Sequence, residues 1–213
     1  MQVIPSINAQ SFEEARVLIE KAEKFLSGDN LWIHIDVGDG IFTPNKGWGN
    51  PSEFKSLNVQ SLKVEVHLMV EGPDAAVLPW LEAGVKRIIV HVESIEDPDA
   101  LLGLCQEFEA ELGLAISPDT KVEELKSYFN KIRFYQVLAV SPGLAGQTFK
   151  PVVLGKIKFL RQNVPNAIIE VDGGINLETA ESVKKAGADV VVSASYILNG
   201  RDPQKAYLEL KEI

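Results

Sequence analysis

"EAGVKRIIVHV" at residues 82–92 and "KAGADVVVSAS" at residues 185–195 follow one plan. Each ends a helical pattern with Ala-Gly, turns at once, and runs into β-branched residues that read as a buried strand. The same alternation covers the chain. Apolar segments near 3–6, 32–37, 64–69, 87–91, 114–116, 134–140, 168–171 and 190–193 are separated by helical patterns. Such alternation implies parallel strands joined by right-handed crossovers. Eight units in 213 residues fit one α/β domain spanning residues 1–213, a single (β/α)8 TIM barrel. A doubly wound open sheet is the alternative. It is disfavoured because "PSINAQ", not a Gly-rich loop, follows the first strand.

Helix boundaries carry their own signals. Ser11 opens "SFEEARVLIEKAEKFL" with Glu14 three residues on, the spacing of a capping box. "PDAAVLPWLEAG" stops at Gly84, and "NLETAESVKKAG" runs from Asn176 to Gly187. Pro79 is expected to bend or interrupt the first of these two.

The formal net charge is −9, which argues against nucleic acid and anionic membrane as partners. The single cysteine, Cys105, excludes an internal disulfide and reads as a small buried hydrophobe on a helix. No apolar run is long enough to span a bilayer, and the first residues lack the pattern of a secretory signal. These features point to the cytoplasm.

"LWIHIDVGDGIF" at residues 31–42 poses the functional question. It reads as a core strand, yet His34 and Asp36 sit two residues apart and so share a face. A buried carboxylate is costly unless paired or bound to a metal. In a barrel, chemistry lies at the C-terminal ends of the strands. His67 in "VEVHLMV" and Asp172 after "AIIEV" fall at such ends. Together His34, Asp36, His67 and Asp172 suit a divalent transition metal such as zinc, iron or manganese. His91 is read as a packed residue or as support for the ligands. A second group is made of glycines in "SPGLAGQTF", "VDGGIN" and, beside them, "SASYI". Their place on the last three barrel loops favours a phosphate cradle.

With these residues in view, the chain resembles the ribulose-phosphate 3-epimerase family. "PSI", "WIHIDVGDGIFTPN", "VEVHLMV", "SPGLAGQTFKP" and "EVDGGIN" occur in the family's order over nearly the whole chain. The resemblance implies a barrel enzyme of carbohydrate metabolism, in the pentose phosphate pathway. It would interconvert D-ribulose 5-phosphate and D-xylulose 5-phosphate through a metal-stabilised enediolate. It implies one divalent ion (Zn, Fe, Mn or Co, with Zn favoured) on His34, Asp36, His67 and Asp172. Asp36 and Asp172 would also be the acid/base pair. Ser6 and Met69 would touch the sugar, and Gly143, Gly146, Gly173, Gly174, Ala194 and Ser195 would lie along the phosphate side. A homo-oligomer is compatible with apolar residues on the outer helices.

The chain departs from the family's pattern around the pocket. Gly38 and Leu138 stand where the family has methionine, and Ala145 and Ala194 where it has glycine. Gly38 is expected to open space, which brings in a larger substrate, a hexulose 6-phosphate of the allulose type. Trp48 is expected either to refill that space from its loop or to stand on the surface or at a subunit contact. A non-catalytic sugar-phosphate binder is the reading from another class. An aldolase, synthase or decarboxylase of the same barrel group is disfavoured by the lack of a lysine near Asp36 in "HIDVGDG".

Overall fold

The computed structural model describes residues 1–28, 31–57, 59, 61–143 and 146–213. Eight parallel strands close on themselves: β1 (Gln2–Ile7), β2 (Trp32–Gly38), β3 (Lys63–Met69), β4 (Arg87–His91), β5 (Glu111–Ile116), β6 (Phe134–Leu138), β7 (Ile168–Asp172) and β8 (Val190–Ser193). Each pairs with the next, and β8 returns to β1, with Gln2 opposite Val190 and Pro5 opposite Ser193. The expected (β/α)8 barrel is therefore the fold.

The connecting helices are α1 (Phe12–Phe25), α2 (Pro51–Ser56), α3 (Asp74–Glu82), α4 (Pro98–Glu107), α5 (Val153–Asn163), α6 (Leu177–Ala186), α7 (Ser195–Leu198) and α8 (Pro203–Glu212). A 3₁₀ segment, Val122–Tyr128, takes a helix's place between β5 and β6. The expected capping box of α1 is only half made. Ser11 accepts from the amide of Glu14, but the Glu14 carboxylate reaches back to the amide of Gln10. The full box is on α6, between Asn176 and Thr179. Pro79 does not interrupt α3. Its missing N–H orphans a single carbonyl, that of Ala75, and both residues are exposed, so water can replace the lost bond.

The pleat sorts the strand residues onto two faces. Ile33, Ile35, Val37, Val64, Val66 and Leu68 join one large apolar layer between barrel and helices. The other face fills the barrel. It holds two small apolar clusters, Ile4 with Val190 and Val192, and Ile89 with Ala115 and Phe134. Apart from Met69 and Leu138 near the upper rim, the rest of that interior is largely polar, and it carries the site.

Candidate active site

The register sets Asp36 on β2 directly beside His67 on β3, and Leu138 on β6 beside Asp172 on β7. His34 lies one pleat below Asp36 on the same face. These four residues converge, each offering a donor atom within 4.8 Å of the others. Nε2 of His34 is 3.2 Å from Oδ1 of Asp36, and Nδ1 of His67 is 3.3 Å from that same oxygen. Nδ1 of His67 also stands 3.8 Å from Oδ2 of Asp172. Ligands about 2.1 Å from a tetrahedral centre lie about 3.4 Å apart. Two nitrogens and two oxygens at this spacing fit a divalent ion.

Ionisation separates the two aspartates. Burial raises both carboxyls, but at Asp36 the charge and hydrogen bond of His34 and the hydrogen bond of His67 outweigh it and hold the group well below the usual range. Asp172 keeps the effect of burial, adds repulsion from Asp36, and is pushed up to about 7. Burial lowers the His67 imidazole to about 4 against the Asp36 hydrogen bond. His34, although desolvated, is raised well above its usual value by Asp36 and Glu65.

Beneath the cluster lies a layer that the sequence reading passed over. Glu65 accepts from Nδ1 of His34 at 2.8 Å and is itself bound by Arg87. Arg87 donates to Glu111 at 2.8 Å and lies over the rings of Phe134 and Trp32. Glu170 takes a hydrogen bond from Gln136 at 3.1 Å. Burial, and then the charge of Glu65, raise Glu170 well above the carboxylate range. A signal for both acids was present: Glu65 is two residues before His67, and Glu170 two before Asp172, so strand alternation puts each in phase with a member of the cluster.

The pocket above the aspartates is lined by Met69 and Leu138, by the loop residues Gly143, Gly146, Gly173, Gly174 and Ala194, and by Ser195 at the start of α7. Gly173 and Gly174 have φ of +101° and +65°, and an added Cβ would meet Val140 at 2.5 Å or the Phe149 amide at 2.7 Å. The turn after β7 thus needs both glycines. Asn8 also lines the pocket and spans it, from Asp36 to the carbonyl of Gly143. Ser6 lies below rather than beside the pocket, and its hydroxyl donates to Asp36 at 2.8 Å. Ala145 lies outside the described residues.

Two expectations are corrected. Gly38 does not open space: a Cβ there would meet Oγ1 of Thr43 at 2.7 Å and the Asn45 carbonyl at 3.0 Å. The loop after β2 folds back and fills the place. Trp48 neither enters the pocket nor stands on the surface. It is buried outside the barrel between Phe12 and Trp80, and its Nε1 donates to Glu53 at 2.7 Å.

Comparison with known proteins identifies the lineage of this site. The profile of the Ribulose-phosphate 3 epimerase family matches residues 2–198. The chain belongs to that family. A ribulose-phosphate 3-epimerase of Chlamydia muridarum is 39% identical over 177 residues, 80% of this chain and 77% of that protein. Those of Mycobacterium bovis and Schizosaccharomyces pombe are 33% and 30% identical over 98% and 99% of this chain, and over 91% and 92% of their own lengths. Among solved structures, a 3-hexulose-6-phosphate synthase from Salmonella typhimurium superposes with a TM-score of 0.75 at 16% identity, covering 100% of this chain and 97% of that one. KGPDC from Streptococcus mutans, in complex with D-R5P, gives 0.76 at 12% identity, covering 99% and 95%. These two share the fold. Membership in the epimerase family makes the chain an isomerase of the sugar-phosphate epimerase type. No helix among the described residues is long and apolar enough to cross a membrane.

Proposed function

We propose that the chain inverts C3 of D-ribulose 5-phosphate to give D-xylulose 5-phosphate. The observation that carries this reading is the pair of pocket-lining aspartates whose carboxyls are shifted in opposite directions, Asp36 well below its usual value by its contacts with His34 and His67, and Asp172 up to about 7 by burial and the charge of Asp36. Inversion beside a carbonyl needs one group that takes a proton and one that gives it. Asp36 is the base and Asp172 the acid in one direction, and the roles exchange in the other. Ser6 and Asn8, both bonded to Oδ2 of Asp36, hold that carboxylate in place. Met69 and Leu138 supply an apolar wall that keeps water from the reacting carbon. The glycine turns at Gly146 and at Gly173 and Gly174, with Ser195, would take the phosphate.

His34, Asp36, His67 and Asp172 would hold one divalent ion, zinc by preference for this nitrogen and oxygen donor set. Bound there, it would supply Lewis-acid stabilisation of negative charge developing on the substrate's carbonyl oxygen. The space-filling role of Thr43 at Gly38 removes the motive for a larger hexulose phosphate.

The test is proton NMR of D-ribulose 5-phosphate in D₂O with metal-loaded chain. Loss of the C3 proton signal with appearance of xylulose 5-phosphate, absent for Asp36→Asn, is the expected result. Full retention of that signal with metal bound would exclude this substrate. Binding of the sugar phosphate without exchange would favour the non-catalytic reading.

A further inference from the structure

His91, the histidine outside the ligand cluster, is fully buried at the end of β4. Its ring stacks on that of His67, with centroids 5.0 Å apart and planes at 21°. The two Nε2 atoms face each other at 2.9 Å. Nδ1 of His91 lies 2.9 Å from Oε2 of Glu93, and the other oxygen of Glu93 accepts the Ser117 amide at 2.8 Å. Phe42 closes the assembly, its ring centroid 4.7 Å from that of His91. His67 meanwhile turns its Nδ1 toward Asp36 and Asp172. With Nε2 occupied by His91, Nδ1 is the only nitrogen of His67 that a cation can use.

The order of protons along this chain follows from its far end. A carboxylate only accepts, so Glu93 requires a proton on Nδ1 of His91. An imidazole with its one proton there presents a lone pair at Nε2. Two nitrogens in contact share one proton, so Nε2 of His67 must donate. Nδ1 of His67 is then left as a lone pair. Ser117 Oγ, 3.4 Å from Nδ1 of His91, could not impose this order, because a hydroxyl both donates and accepts.

We propose that Glu93 and His91 are positioning residues for His67. They send its Nε2 proton away from the site and hold its Nδ1 lone pair on the His34–Asp36–Asp172 cluster, ready for a divalent cation. This deepens the proposed function and rests on its metal site. It parallels the direct contact of Glu65 with His34, but acts through a second imidazole.

The experiment uses the three histidines of the full chain. Ring ¹⁵N–¹H correlation spectra of the zinc-loaded protein should show His67 protonated at Nε2 with a zinc-shifted Nδ1, and His91 protonated at Nδ1 alone. Zinc affinity, read by competition with a chromophoric chelator, should weaken about 10–100-fold in Glu93→Gln. The amide can donate to Nδ1 as readily as accept, so the order of protons is no longer imposed. A proton on Nε2 of His91, zinc on Nε2 of His67, or a Glu93→Gln affinity within about twofold of wild type would each overturn the proposal. The wild-type spectrum decides even if the variant fails to fold. A wild-type chain that takes up no zinc would instead overturn the metal site itself, which separates the two failures.

Discussion

Strand β3 buries Val64, Val66 and Leu68 on one side and Glu65, His67 and Met69 on the other, all at 3% exposure or less. Both sides are equally hidden from water, yet they are different media. The outer side packs against helices and is apolar throughout. The inner side carries His34, Glu65, His67, His91, Gln136 and Glu170, each at 0%. Burial stabilises the first by removing apolar area from water. On the second it is a cost, offset only where each charge meets a partner. Stability and chemistry are thus divided between two faces of one wall, a pleat apart.

Substitutions on the two faces should separate cleanly. The largest effect belongs to the inner face. Asp172→Asn should lower turnover by about 10²–10⁴-fold, measured as C3 proton exchange, with a melting temperature close to wild type. A large fall in melting temperature would break the division. On the outer face, Trp48→Ala should cost about 3–5 kcal/mol in denaturant unfolding and leave turnover unchanged at temperatures where the chain is folded. Gly38→Ala sits at the boundary. Its methyl must displace Thr43, at a cost of about 1–3 kcal/mol, and should raise KM through the displaced loop.

The smallest effect is a pH dependence. Burial alone would raise the Glu93 carboxyl, but hydrogen bonds from His91 and the Ser117 amide bring it to about 2 in the fold, from an ordinary 4.5. A depressed acid stabilises the fold above its unfolded value and loses that contribution as pH falls. The stability of wild type should therefore exceed that of Glu93→Gln above pH 4.5, and the gap should close toward pH 2. A gap that persists at pH 2 would mean that the variant perturbs packing rather than charge.

Much of the outer face was legible in the sequence, because β-branched runs and Ala-Gly stops repeat with a helix–strand period. The gathering of His34, Asp36, His67 and Asp172 was legible too, since His34 and Asp36 interrupt an apolar run and His67 and Asp172 end two others. Glu65 and Glu170 were harder, because a lone acid in a strand ordinarily marks the solvent side. In a closed barrel the inner side is no less buried than the outer. The fate of Gly38 depends on Thr43, five residues later, and on how a loop folds back. The partnership of His67 with His91 depends on the register between β3 and β4. Neither leaves a mark in local composition. The interruption expected at Pro79 did not occur, because that effect turns on whether the orphaned carbonyl can reach water.

The seam between β1 and β8 has a consequence for how the chain is made. Residues 2–5 can find their partners at 190–193 only after the chain between them, with its six intervening strands, has been made. Until then β1 has one unpaired edge, and so does whichever strand emerged last. The carboxylates and imidazoles of the interior remain wet through that interval, so their desolvation falls due in one late step. Closing the last strand against the first both seals the wall and assembles the site.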